Sequence, residues 1–306
     1  MSNASINSQT YWNDRFDQDW ESNLGREQSR FFAKVAVDNM PEWLKSLARA
    51  EGWSICDWGC AQGDGTEVLA DYLAPATMTG VDFAEAAIEK ARATYGRLRF
   101  ETQDWVADPA VAEQFDAVFS SNTLEHFSDP FSVLAQLFRR ATRCVILALP
   151  YRELIRVSEH FYTFTGENIP LIPDPEWSLV HGAAVDCRAM EPTYWQGEQV
   201  LLVYGRRDWV AEVGLALGDA YMQADTPVQS TAMADLTARI AELSEKLEQY
   251  CARNDSLQAH NEALQARNEE LHEREKALQV ETQALQSSLS WRMTKPLRAL
   301  ARLLGK

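Results

Sequence analysis

Cysteine is scarce and poorly spaced in this 306-residue chain. The five residues, Cys56, Cys60, Cys144, Cys187 and Cys251, are scattered and odd in number. That argues against a disulfide framework or paired zinc-ligand spacing and fits a reducing compartment. Long apolar runs are also missing, and none approaches the ~20 residues needed to span a bilayer. The opening MSNASINSQTYW has no basic start followed by an apolar stretch, so no secretory signal is expected and the expected location is cytoplasmic. Excess positive charge is absent too. Lys plus Arg number 29 against 45 Asp plus Glu, a formal net charge of −16. A body this acidic repels phosphate backbones, so nucleic acid is not an expected partner. The rest is ordinary globular composition, 46% hydrophobic and 24% charged, which excludes a wholly disordered chain.

The charge is uneven. Residues 1–235 carry 35 acids and 18 bases, whereas residues 236–306 carry 10 acids and 11 bases. The last stretch holds Arg292, Lys295, Arg298, Arg302 and Lys306 with no acid among them. Two ends of different chemistry suggest two tasks.

From Trp53 onward the chain alternates strands with helices. WSICDW reads as a buried strand, followed by a glycine turn at 59–65 and a helix to about residue 74. TMTGVDF reads as a second strand ending in Asp82, and AEAAIEKARATYG as a helix. LRFETQD and FDAVFSS read as strands three and four, a helix covers about 130–141, and CVILALP is a fifth strand stopped by Pro150. This spacing argues for a parallel sheet with right-handed crossovers. QVLLVYG (199–205) reads as one more strand, paired with one near 178–183, in the manner of an antiparallel edge strand. Residues 207–234 read as a linker.

The last long segment is a heptad repeat. Leu236, Leu243, Tyr250, Leu257, Leu264, Leu271, Leu278 and Leu285 recur every seven residues. Ile240, Leu247, Asn254, Asn261, Asn268, Glu275, Thr282 and Leu289 fill the alternate seam. The spacing predicts a coiled coil over 235–290, about 80 Å long. Homo-oligomerisation through 236–289 follows. The seam asparagines favour a parallel dimer, with a trimer as the alternative.

The glycine turn is Asp57-Trp58-Gly59-Cys60-Ala61-Gln62-Gly63-Asp64-Gly65. It is neither the G-x-G-x-x-G of a dinucleotide site nor a phosphate loop, because no Lys follows. Asp57 and Asp64 would repel a pyrophosphate and suit a ligand with a cationic end. The string resembles the first motif of class I S-adenosylmethionine-dependent methyltransferases, [D/E]-x-G-x-G-x-G, with Ala61 at the middle glycine. Asp82 after strand two, Asp104 in FETQDW and the FDAVFSSNTLEHFSDP segment continue the resemblance in order over residues 53–150, with a weaker echo in YWNDRF. The resemblance implies an α/β Rossmann-like methyltransferase fold over residues 1–206. Its sheet is seven-stranded and mostly parallel with the last strand antiparallel, and a long C-terminal coiled-coil helix follows.

It also implies the cofactor, S-adenosyl-L-methionine. Backbone N–H groups of Gly59, Cys60, Ala61 and Gly63 are expected to bind its carboxylate, and Asp57 its ammonium. Asp82 is expected to take both ribose hydroxyls, and Asp104 the adenine amino group. Phe83 or Trp105 would cover the ring, and Asn122 would sit near the emerging methyl group.

A hydroxyl acceptor needs a base. The catalytic candidates are His160 and His126, with Glu159 and His181 behind them; His181 reads as a satisfied core histidine. No metal-ligand cluster is legible. The tail SLSWRMTKPLRALARLLGK (residues 291–306 at its core) sets Trp291, Met293, Leu297, Leu300, Leu303 and Leu304 among bases, the composition of an interfacial or docking helix. Head, stalk and tail together resemble bacterial enzymes that cap O-antigen polysaccharides. That implies O-methylation of a sugar in a surface glycan near the inner face of the membrane. The tail would meet anionic lipid or a polysaccharide-assembly protein. The alternatives are a small-molecule or lipid-like acceptor, and a degenerate head on a coiled-coil scaffold.

Overall fold

Strands buried on both faces organise the first 206 residues. In the computed structural model, which describes residues 5–108, 110, 113–220, 228–288 and 292–303, the chain forms two units, residues 1–224 and 225–306. The first begins with α1 (Gln9–Gln18), α2 (Gly25–Asn39) and α3 (Glu42–Glu51). There follow β1 (Ser54–Trp58), α4 (Asp64–Leu73), β2 (Thr77–Asp82), α5 (Glu85–Thr94), β3 (Arg99–Thr102) and β4 (Phe115–Ser121). The rest is α6 (Pro130–Phe138), β5 (Ala141–Tyr151), β6 (Trp177–Asp186), β7 (Glu198–Arg206), α7 (Arg207–Val213) and α8 (Leu217–Ala220).

Neighbouring residues of the strands enter opposite cores. Ile55, Phe119, Ile146 and Val203 pack with α2, α3 and α4. Cys56, Val118, Val145 and Tyr204 pack with α6. A strand buried on both faces needs a continuous apolar run, which is why CVILAL and QVLLVY read so clearly as strands. Local signals set the helix ends. Asp129 accepts from the Ser132 N–H at 3.2 Å and Pro130 opens α6, while Gly52, at φ +62°, stops α3.

The seven strands lie in the order β3-β2-β1-β4-β5-β7-β6. All neighbours are parallel except those of β7, which runs antiparallel to both β5 and β6. The expected antiparallel strand is present, but β7 is not at the edge. It inserts between β5 and β6, and β6 takes the edge. Its burial explains why: seven of its nine residues, Gln199 to Gly205, are buried, whereas β6 alternates toward solvent beyond His181. The connector after β7 opens with α7, whose buried Trp209 packs edge-on against Trp53.

This order puts the topological switch between β1 and β4, where the chain departs to opposite sides. The crevice at the carboxyl ends of those strands is where an open α/β sheet binds ligands.

The second unit contains α9 (Val228–Ser287) and α10 (Lys295–Leu303). Along α9 the heptad residues Leu243, Tyr250, Leu257, Leu264, Leu271, Leu278 and Leu285 are all at least half exposed. The side chains of Leu236, Ile240, Leu300 and Leu303, and residues Leu289, Trp291, Leu304 and Lys306, lie outside the described set. No described helix is long and apolar enough to cross a membrane.

Candidate active site

The carboxyl ends of β1, β2 and β4, the loop after β5 and helix α1 enclose a cleft of about 900 Å³. That is at the upper end of the roughly 300–1,000 Å³ typical of small-molecule sites.

The glycine turn forms one wall. Gly59 has φ +78°, and a Cβ there would lie 2.5 Å from Thr123 Oγ1, so only glycine lets the turn approach the segment after β4. Its donors are largely engaged internally. The Gly59 and Cys60 N–H groups donate to the Val81 carbonyl at 2.8 and 3.2 Å, and Gly63 N–H donates to Cys60 O at 2.9 Å. Ala61 N–H donates to Asp82 Oδ2 at 3.0 Å. The four amides expected to hold a carboxylate are therefore already spent in shaping the turn. Gly63 does not line the cleft; at φ +82° it gives room to Phe100, 2.6 Å from its virtual Cβ. Asp64 also leaves the site. It is buried against Arg26, 3.0 Å away, and Tyr95, whose hydroxyl donates at 2.5 Å, so its charge is neutralised.

Asp57 and Asp82 do line the cleft, and both are buried. Asp57 accepts from Thr66 Oγ1 at 2.6 Å, and Asp82 Oδ1 accepts from Ala84 N–H at 2.9 Å. Desolvation raises Asp57 to about 7, with the neighbouring Asp82 charge adding to it. Desolvation likewise raises Asp82 to about 6 against its backbone donors. Among the described residues neither pairs with a basic side chain. Two desolvated carboxylates without a cation favour a ligand that brings an ammonium group and hydroxyl donors.

The adenine-end candidates fare differently. Asp104 lines the cleft and caps its own loop, accepting from the N–H groups of Val106 and Ala107 at 3.0 and 2.9 Å. Phe83 lines the cleft half-buried. Trp105 is mainly a core residue: 2% exposed, it stacks on Trp58 and Phe115 under the Arg140 guanidinium. Asn122 sits at φ +49° with Oδ1 accepting from Gln199 Nε2 at 3.0 Å.

Residues 55–145 match the family model described as a methyltransferase domain. Over these residues the chain is similar to methyltransferases. The chain is 27% identical over 121 residues to a trans-aconitate 2-methyltransferase of Delftia acidovorans, covering 39% of this chain and 45% of that protein. It is 32% identical over 102 residues to a ubiquinone biosynthesis O-methyltransferase of Pseudomonas putida, covering 32% and 43%. It thus spans less than half the length of these curated relatives. The solved magnesium protoporphyrin IX methyltransferase of Synechocystis with bound S-adenosylmethionine shares the fold. Its TM-score is 0.50 at 21% identity, over 67% of this chain and 100% of that one.

At the far end of the cleft, Glu125 and His126 from inside the matched stretch meet His160 and Trp12 from outside it. His126 and His160 meet edge to face at 5.1 Å between ring centroids, and Trp12 of α1 meets His126 the same way at 5.1 Å. His126 Nδ1 lies 2.9 Å from the Glu159 carbonyl, and His160 Nδ1 lies 2.5 Å from Glu153 Oε2. Burial pushes His126 down to about 4. Glu125, absent from the sequence-based candidates, is fully buried beside them, and neither carboxyl oxygen has a hydrogen-bond partner. Burial lifts it to about 8.

The structure thus gathers Glu125, His126 and His160 into a cluster that spacing had hidden. Glu159 points to α1 instead, where Tyr11 and Arg15 hold its carboxylate. His181 is buried in β6 and does not line the cleft.

Proposed function

We propose that the protein moves the methyl group of S-adenosylmethionine to a hydroxyl oxygen of a glycan acceptor. One observation carries the reading. A single cleft joins the buried pair Asp57 and Asp82 to the Glu125–His126–His160 corner. In this reading Asp57 takes the donor's ammonium and Asp82 its ribose hydroxyls. The acceptor oxygen attacks the methyl carbon, the C–S bond pair returns to sulfur and cancels the sulfonium charge, and the hydroxyl proton leaves at the histidine corner.

The wall chemistry favours a neutral, ring-shaped acceptor. Trp12, Phe32, Tyr194 and Trp195 offer aromatic faces. Among the described lining residues Arg15 is the sole arginine or lysine, and Glu159 holds it. A polycarboxylate such as the one named for the Delftia relative would enter a cleft lined by the carboxylates of Asp82 and Asp104, with its arginine already paired to Glu159, an unfavourable field. A small-molecule or lipid-like acceptor is the second reading, favoured by the printed name of the ubiquinone biosynthesis relative.

By the same reading α9 joins copies of the chain into a parallel dimer. The basic stretch 291–306 docks on anionic lipid or on a polysaccharide-assembly protein at the membrane. Purified full-length protein given labelled S-adenosylmethionine should label short oligosaccharides bearing a free terminal hydroxyl. Labelling of small phenols and carboxylates with no label on any sugar would overturn the glycan assignment.

A further inference from the structure

A buried carboxyl group with two unpartnered oxygens is rare enough to require an explanation, and a cation is one of the few that fit. Glu125 is such a group, and it does not stand alone. One donor atom from each of Glu125, His126 and His160 lies within 4.8 Å of the others. Glu125 Oε1 and His160 Nε2 are 3.8 Å apart. A tetrahedral ion with bonds of about 2.1 Å spaces its ligands about 3.4 Å apart, so only a small contraction is needed across this pair.

The surrounding shell is arranged for the same end. A backbone carbonyl only accepts, so His126 Nδ1 must carry the proton it shares with Glu159 O at 2.9 Å. His160 Nδ1 donates likewise to the Glu153 carboxylate at 2.5 Å. In each neutral ring the lone pair is thereby left on Nε2. Imidazoles that bind a metal through one nitrogen and donate from the other to a carbonyl or carboxylate show this pattern, which fixes the tautomer and the ring plane. Asn7 Nδ2 reinforces it, donating to the Glu159 carbonyl at 2.7 Å and the His126 carbonyl at 3.1 Å.

We propose that Glu125, His126 and His160 hold one divalent ion of borderline softness, of the Zn²⁺ or Co²⁺ kind, at the acceptor end of the cleft. Two imidazoles and one carboxylate suit such ions better than magnesium or calcium, which prefer all-oxygen shells. Three protein ligands leave a position open. Resting on the hydroxyl-acceptor reading above, that position takes the acceptor oxygen. The ion lowers the hydroxyl's pKa, the proton passes to water, and the metal-held oxygen attacks the methyl carbon.

The test uses full-length protein stripped with chelator. It carries Cys251→Ser to remove the one described exposed thiol, a competing soft ligand. Titration with Co²⁺, followed by visible absorption, should give one equivalent bound with no thiolate charge-transfer band, and Zn²⁺ should displace it. Glu125→Gln and His160→Ala should each weaken binding at least 100-fold. Glu153→Gln, which meets His160 at its far nitrogen and otherwise only caps the Val157 N–H at 3.2 Å, should weaken it about 10- to 100-fold. No stoichiometric binding, or binding that survives Glu125→Gln and His160→Ala unchanged, overturns the site. Circular dichroism separates loss of ligand from loss of fold, and Glu153→Gln serves if Glu125→Gln does not fold. Methyl transfer is read separately. Loss of transfer on stripping, with S-adenosylmethionine binding retained, supports the ion's role. Full-rate transfer without metal overturns that role and leaves His160 as the direct base. Stoichiometric Co²⁺ binding with no hydroxyl acceptor methylated overturns the hydroxyl reading and leaves the site standing.

Discussion

Ala61 and Asp82 are joined by a 3.0 Å hydrogen bond from the Ala61 N–H to Asp82 Oδ2, so the carboxylate expected to grip the ribose also holds the glycine turn in place. Its other oxygen accepts from Ala84 N–H at 2.9 Å. One side chain therefore links β2, the turn after β1 and the start of α5. Replacing Asp82 with Ala removes the proposed ligand contact and a tie within the wall together. Hydrogen bonds to a charged group contribute about 1.5–3 kcal/mol each. Asp82→Ala should therefore weaken S-adenosylmethionine binding roughly 30-fold by calorimetry, with a lowered melting temperature. Asp82→Asn should keep most of the stability and lose most of the affinity. Unchanged affinity in both variants would remove Asp82 from the cofactor site.

The same burial makes cofactor binding sensitive to pH. Asp57 and Asp82 are raised to about 7 and about 6 in the free protein. An ammonium on Asp57 and ribose hydroxyls on Asp82 favour the ionised forms, so binding lowers both pKa values and releases protons. Affinity should hold above pH 7 and fall as pH drops through 7 and then 6, by up to about tenfold per unit for each group. Stability of the free protein should respond in the opposite sense. Because the folded state holds these protons more tightly than the unfolded chain, the two groups favour folding below their ordinary range near 3.8. That contribution is lost as pH rises through 6 and 7. Calorimetry in buffers of different ionisation enthalpy near pH 6.5 reads the released protons directly. Binding that strengthens with acidification would contradict the assignment.

Two positions in the turn make opposite predictions. At Gly59 a Cβ would strike Thr123 Oγ1 at 2.5 Å, with φ at +78°. Gly59→Ala should cost about 1–3 kcal/mol from backbone strain alone. For a domain of this size that lowers the melting temperature by about 2–4 °C per kcal/mol. At Ala61 the strain already exists, since an alanine sits at φ +48°. Ala61→Gly relieves it while adding freedom to the unfolded chain, two effects each of order 1 kcal/mol. Stability should therefore move by less than about 1 kcal/mol, and cofactor affinity should hold, because the Ala61 contact to Asp82 is made by the backbone. Thermal melts of the two variants measure the contrast.

Much of the head was legible because its signals are local. Phe115–Ser121 forms β4 with the bounds that FDAVFSS implied, and Asp82 ends β2 where the ribose acid was expected. What escaped depended on distance. The position of β7 between β5 and β6 is set by pairing partners more than fifty residues apart in the case of β5, such as Leu147 with Leu202. Glu125 looks like an ordinary acid in LEHF. Its isolation from donors and its approach to His160 arise only when the turn after β4 meets the loop after β5, where Phe161 N–H reaches the Glu125 carbonyl at 2.7 Å. Gly63 misled for a different reason: its glycine character serves Phe100, not a ligand.

The stripe on α9 yields the remaining prediction. Leu257 and Leu264 are 54% and 50% exposed, and their heptad companions among the described residues are as bare. A continuous row of leucines in water is unfavourable by about 25 cal/mol per Å² of apolar surface, and a second copy of the helix would bury it in register. Asn254, Asn261 and Asn268 lie on the other seam, where paired amides favour two parallel strands over three. Light scattering on the full-length protein should therefore give twice the 34.6 kDa chain mass. Leu257→Asp with Leu264→Asp puts charge into the seam and should return the mass to that of one chain, with reduced helical ellipticity but an unchanged affinity of the head for S-adenosylmethionine. Asn261→Leu removes the amide that penalises other arrangements, so the dimer should give way in part to trimers or tetramers. A single-chain mass for the unaltered protein at micromolar concentration would mean that the leucine row meets a different partner.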